Sequence, residues 1–276
     1  MNMNERINGN SWIPLIVVAC ASFIVVLDTF FMNVSISRIV VDLNTDVSTI
    51  QMIVSFYTLI TAALIVVGTK LQDIVGKKKL FLIGVALFGI GTFTASISTS
   101  TIMFFVGWSA IEGVAGALML PAIVSIMSGT YSGKKRTIAL ATLGMMAGLA
   151  DVVAPFLGGV ITTFLSWRFT FAFELIFILF ILVMQHKIPD FKPTESKNDL
   201  DIVGAIISGI GLVLLEVYDN FQKLDTVDGQ NCVVVNTADI IIQNAMASVM
   251  HALAIVLGVI LILTLRIKNK NIKKVR

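Results

Sequence analysis

The chain has 276 residues, 57% apolar and 13% charged, with a formal net charge of +3. A soluble domain carries about 25% charged residues, so this composition excludes an ordinary soluble protein and points to an integral membrane one. Lysine and arginine form short clusters rather than one basic face, which argues against nucleic acid as a partner.

A spanning helix needs ~20 apolar residues. Eight runs qualify, at about 13–34, 49–69, 80–98, 102–128, 137–164, 168–187, 201–218 and 241–265. They are continuous rather than alternating, so they are expected to be helices rather than barrel strands. The fold class is therefore all-α integral membrane, a six-helix bundle plus about two further helices.

The first run follows Arg6, as in a secretory signal, but it is longer than a signal's ~7–15-residue apolar core and reads as an uncleaved helix. It carries Asp28 in its outer half. A charge inside a spanning helix costs about 2.5–3.5 kcal/mol on insertion scales, so such positions are informative. Asp28 is either a protonatable group on an internal cavity or a carboxylate bonded to a neighbouring helix. The second run ends in Gly68-Thr-Lys-Leu-Gln-Asp-Ile-Val-Gly-Lys-Lys-Lys79, read as a tight charged loop whose Gly68 breaks the helix and whose lysines sit at the cytoplasmic surface.

The third run, 80–98, carries no charge. The fourth carries Glu112, with Ser109, Gly113 and Gly116 on the same helical face. Small residues there let another backbone approach or leave a cavity beside the carboxyl. Proton coupling and a structural role are both open to Glu112. The fifth run carries Gly144, Gly148, Asp151, Pro155, Gly158 and Gly159 on one stripe, which reads as a helix-packing motif interrupted by a charge. In the sixth, Arg168 and Glu174 lie near the start, where an ion pair with each other or a surface position is expected.

Residues 188–200 are polar with Pro189 and Pro193, and read as a cytoplasmic linker. After the short seventh run comes an acidic outer loop, 219–239, with Asp219, Asp225, Asp228 and Asp239. The eighth run contains His251, a titratable group inside a span, and leads into a basic tail. The domains are thus 1–187, the linker 188–200, and a two-helix part 201–276. Placing the N-terminus inside puts 17 of the 20 lysines and arginines on the cytoplasmic side, leaving Arg38, Arg168 and Lys223 outside. Both termini are expected to be cytoplasmic.

Two cysteines, Cys20 and Cys232, and two histidines, His186 and His251, make neither a disulfide framework nor a metal cluster. There is no phosphate loop, HExxH or GxSxG motif. No cofactor is expected, and the chain is not expected to be an enzyme.

Four motifs carry a resemblance. Leu27-Asp-Thr-Phe-Phe-Met-Asn-Val34 is similar to the helix 1 signature LDxTxVNVALP, with Asp28, Thr29 and Asn33 matching and Ser37 replacing the proline. Asp73, Gly76, Lys77 and Lys78 match the loop signature GxLaDrxGrk, with Thr69 at its first glycine. Pro155, Gly158 and Gly159 match the helix 5 motif GPxxGG, with Ala150 and Ala154 replacing glycines there. Ser166-Trp-Arg168 is similar to the SWR that opens helix 6. Together these resemble the 14-helix drug:proton antiporter branch of the major facilitator superfamily, over about residues 12–187 and more weakly 198–218. The resemblance implies a multi-pass cell-membrane transporter exchanging protons for small amphipathic, often cationic, compounds. It implies that Asp28, Asn33, Glu112 and Asp151 serve coupling and the substrate cavity, and that Asp73, Gly76, Lys77 and Lys78 form a conformational latch. The branch's helix 4 motif carries an arginine where this chain has Ser109, and a glutamine where it has Glu112.

Such transporters bind substrate between two bundles. The sequence carries six helices and about two more, so a shortened second half is expected, with lipid around it and a second copy or another transporter chain completing the site. The alternative is a membrane protein that does not transport, a remnant or an interaction subunit.

Overall fold

The computed structural model describes residues 11–191 and, beyond them, Gly211 alone. The expected seventh and eighth helices, the acidic loop, His251 and the basic tail lie outside the described residues, as does the linker after Phe191.

Six helices are long and apolar enough to cross a membrane. They are α1 (Ile13–Asp42), α2 (Val47–Val75), α3 (Lys77–Ser96), α4 (Thr101–Thr130), α5 (Gly133–Phe164) and α6 (Arg168–Val183), the last continuing as a 3-10 turn at Met184–Lys187. Their boundaries follow from local chemistry. Pro14 opens α1, where a missing N–H costs nothing. Asp46 caps α2, accepting from the Thr49 N–H at 2.7 Å and the Ser48 hydroxyl at 2.6 Å. Those bonds, Ser48's first, hold its carboxyl below the usual carboxylate range. Ser100 caps α4 through the Met103 N–H. Every connection is four residues or fewer, which makes successive helices antiparallel neighbours.

Two boundaries differ from the sequence expectation. Helix α1 runs on to Asp42, because Ser37 and Arg38 fall on its exposed side while Ser35 and Ile39 are buried. Asp28 therefore sits at the middle of α1 rather than in its outer half. The charged loop is also nearly absent. Gly68 does not break α2 but packs within it, so close to α4 that a Cβ there would run into the Ala117 carbonyl. The turn is made by Gly76 alone, at φ 101° and ψ 135°, a left-handed conformation that favours glycine.

The packing is symmetric between the first three helices and the last three. Helix α1 lies along α5 as α4 lies along α2. Helix α3 packs on α4, and α6 on α1, while α3 and α6 pack on each other. This pattern leaves α1 and α4 central. Their fully buried side chains include Ile24, Leu27, Phe31 and Met32 from α1, and Phe104 and Trp108 from α4.

Among the described residues, one end of the bundle collects Lys77, Lys78, Lys79, Lys134, Lys135, Arg136 and Lys187. The other end is held by Arg168. Its guanidinium pairs with the Asp42 carboxylate, donates to the Ser98 carbonyl at 2.6 Å, and lies over the Trp167 ring at 4.4 Å. Trp167 Nε1 donates to the same Asp42 at 3.2 Å. One side chain thus ties the end of α1, the α3–α4 connection and the start of α6. Arg168→Ala is expected to cost about 1 kcal/mol, no more, since both ion-pair partners are part-exposed. Arg168→Lys should recover only part of it, because an ammonium cannot reproduce the planar fork or its stacking. Unfolding in mixed micelles measures both.

Candidate functional site

Three carboxyl side chains meet no solvent at all: Asp28 from α1, Glu112 from α4 and Glu174 from α6. Trp108 Nε1 donates to Asp28 Oδ1 at 2.8 Å. The second Asp28 oxygen and all four oxygens of Glu112 and Glu174 have no hydrogen-bond partner. Asp28 and Glu112 are near neighbours, and Thr92 of α3 lies beside Glu112, its hydroxyl donating to the Phe88 carbonyl at 2.8 Å. No lysine, arginine or histidine is among the buried residues described.

Local sequence builds this arrangement. The first third of α4 contains a π-helical segment, Phe105–Ile111. Such a turn widens the helix and is often found at functional positions. It sets Trp108 and Ser109 into the core and delivers Glu112 at its end. Helix α3 makes room with Gly91: a Cβ there would overlap the Glu112 side chain and stand 2.7 Å from the Gly107 carbonyl. On the α2 side, Tyr57 stacks on Trp108 with ring centroids 4.7 Å apart, and the Thr61 hydroxyl donates to the Gly113 carbonyl at 3.1 Å. Phe104 continues the stack at 6.1 Å and meets Trp167 and Phe171 edge-on. This aromatic column fills the bundle between the carboxyls and the Arg168 end.

Of the four residues that the resemblance assigned to coupling and the substrate cavity, Asp28 and Glu112 share one buried interior, while Asn33 and Asp151 are both exposed. It also relocates Glu174. Neither a surface group nor a partner of Arg168, it is buried facing α1 and α3, and Arg168 turns to Asp42 instead. The signal was available: Glu174 lies six residues into α6, about 9 Å along its axis and well past the interface. Trp108 and Tyr57 were not singled out in the sequence, although a tryptophan two turns inside a span asks for a partner for its N–H.

The fifth-helix motif divides. The stripe that packs on α1 is Leu143, Ala150, Ala154, Gly158 and Thr162. Gly158 lies close under Phe31, at 3.0 Å from where a Cβ would be. Gly144, Gly148, Asp151 and Pro155 face away, and Gly144, Gly148 and Gly159 have nothing within 4 Å. Of the proposed packing residues, only Gly158 packs among the described residues. The small residues form a second stripe, turned outward. A glycine pattern alone cannot say which of two adjacent stripes meets a neighbour.

At the basic end, Lys78 Nζ donates to the Ile188 carbonyl at 2.8 Å and Lys77 Nζ lies 5.5 Å from the Phe191 ring centroid. Gly76 and Gly129 also approach Phe191. The α2–α3 turn is thereby fastened to the segment leaving α6. Asp73 is half-buried nearby.

Residues 18–214 match the profile of the Major Facilitator Superfamily. The chain belongs to that superfamily. This major facilitator chain is 32% identical to the cephamycin export protein CmcT of Amycolatopsis lactamdurans, over 72% of its own length and 42% of that protein's. It is 31% identical to the quinolone resistance protein NorB of Staphylococcus aureus, over 63% of itself and 38% of NorB. A crystal structure of a peptide transporter of the POT type, in complex with sulfate, superposes with a TM-score of 0.61 at 18% identity, covering 86% of this chain and 51% of that one. That likeness concerns the fold. The chain spans less than half the length of the curated relatives named here. It is a multi-pass membrane protein, and the symmetry of α1–α3 with α4–α6 is the inverted repeat of a major facilitator half.

Proposed function

We propose that this chain is one bundle of a proton-coupled exporter of small amphipathic compounds. The observation that carries the reading is the sealed pair of Asp28 and Glu112 at the centre of the bundle, with no buried lysine, arginine or histidine among the described residues. Charge buried in that way is costly and marks proton or ion pathways in membrane proteins. Gain and loss of a proton there would move α1 against α4. The relatives' names, which speak of antibiotic export and resistance, support an exported substrate of drug-like size.

Two further parts follow. The basic end is assigned to the cytoplasm by the positive-inside rule, and the Asp73–Lys78 turn acts there as a latch. The outward stripe of Gly144, Gly148, Asp151 and Pro155 is assigned to the substrate pathway, facing a second bundle from whatever chain supplies it. In this arrangement protons and substrate occupy different places, since the carboxyl pair is sealed while Asp151 is open.

The test is accumulation of a fluorescent amphipathic cation in a drug-sensitive host. Cells carrying the chain should accumulate less than cells with empty vector, and an uncoupler should erase the difference. Accumulation at the vector level, with the chain present in the membrane, overturns the reading. It then favours a non-transporting interaction subunit, for which the open α5 stripe is the supporting observation. Crosslinking through Gly148→Cys would show whether another chain covers that stripe.

A further inference from the structure

The coupling reading uses Asp28 and Glu112 and leaves Glu174 without a task. Its carboxyl is fully buried, neither oxygen has a partner, and it sits in the same interior as the other two. The groups facing this interior can be stated helix by helix. Asp28 comes from α1, Tyr57 from α2, Thr92 from α3 and Glu112 from α4, while the α5 carboxylate, Asp151, is exposed. No base is among the buried residues described, and the donors are one indole, to Asp28, and hydroxyls. Three ionised carboxylates cannot share such a space, because each like charge adds to a desolvation cost that is already several kcal/mol. Something positive must be present, and a proton is the species that a fully buried oxygen with no hydrogen-bond partner accepts.

We propose that Glu174 is a proton-binding residue of this cluster: Glu174 and Glu112 each hold a proton in the closed bundle, and Asp28, which receives the Trp108 N–H, is the carboxyl that ionises. Protonated Glu112 then donates to the free Asp28 oxygen, which completes the pair. The proposal rests on the coupling reading for its place in a cycle, but not for its chemistry. It implies that the bundle can release more than one proton when it opens.

Infrared spectroscopy of the full chain in lipid vesicles separates protonated carboxyls, by their C=O stretch, from carboxylates. At neutral pH the native protein should show protonated-carboxyl bands that shift in heavy water. Glu174→Gln, which is isosteric, should lose one component. Asp28→Asn should lose none. The native bands should also persist at alkaline pH, where exposed carboxyls are fully ionised, and this measurement does not depend on the variant folding. Native bands that vanish by neutral pH, or a Glu174→Gln spectrum with every component intact, would overturn the proposal. So would carboxylate bands that shift on adding sodium, since the cluster would then be a metal-cation site. Export is not needed for this readout, so loss of the transport reading would leave the Glu174 result standing.

Discussion

Asp28→Asn is expected to stop export while the bundle stays folded. The asparagine carbonyl can accept from Trp108 Nε1 as the carboxylate does at 2.8 Å, so the stack of Tyr57, Trp108 and Phe104 keeps its geometry. Only the ability to take up and release a proton is lost. A positioned proton-transfer group contributes on the order of 100-fold or more, and the transport rate should fall by about that factor. Uptake into inverted vesicles under an imposed proton gradient measures it. Trp108→Phe makes the useful contrast. It keeps the ring but leaves Asp28 Oδ1 without its donor, a loss of about 1–3 kcal/mol in a buried site. Stability should drop there, where Asp28→Asn spares it. A wild-type rate in Asp28→Asn would remove Asp28 from the coupling step.

Gly91→Val should be among the most damaging small substitutions in the bundle. The added atoms would meet the Glu112 side chain and the Gly107 carbonyl, and Gly107 is itself pressed against α3, with only 2.9 Å between its own would-be Cβ and the Ala95 nitrogen. The Gly107 carbonyl and the Glu112 nitrogen, 3.2 Å from the Gly91 Cβ position, are backbone, so neither can rotate away. Overpacking costs typically about 1–3 kcal/mol, and this site belongs at the upper end. Helices α3 and α4 would have to separate, taking Glu112 away from Asp28. Gly144→Ala is the matched control. Nothing lies within 4 Å of that position, so the bundle's stability should stay level or rise by up to about 1 kcal/mol from helix propensity. Thermal unfolding in detergent reads both. If Gly144→Leu then impairs export without lowering stability, the α5 stripe meets a partner only in the working assembly.

Much of the bundle was legible in the sequence because lipid permits so few backbone solutions. Six apolar runs had to be six helices, and their caps at Asp46 and Ser100 lie where polar side chains interrupt the runs. What stayed hidden depends on rotation about the helix axes and on distances between chain-remote residues. Glu174 looked peripheral because it was measured from Arg168 along the chain, whereas its burial comes from α1 and α3. Gly68 looked like a helix breaker because the backbone it approaches, at Ala117, is far away in sequence. Spacing showed that the glycines of α5 share a stripe but not which neighbour it meets; within the described bundle, the stripe on α1 is the adjacent one of Ala150 and Ala154. That Asp28 and Glu112 would turn inward was legible, since a charge in a spanning helix is costly against lipid; that they meet each other was not.

The indole of Trp108 has its N–H on Asp28 and its face on Tyr57, so it absorbs and emits light from beside a buried carboxyl. Its excited state is more polar than its ground state, and a charge appearing or vanishing at the far end of that N–H would shift the emission colour. The other two tryptophans do not touch that carboxyl: Trp12 stacks on Tyr131, and Trp167 lies one ring further along the aromatic column, beside Arg168. Replacing those two with phenylalanine would leave a single native fluorophore wired to one carboxyl. The ionisation state of this protein could then be watched in real time, with no label attached.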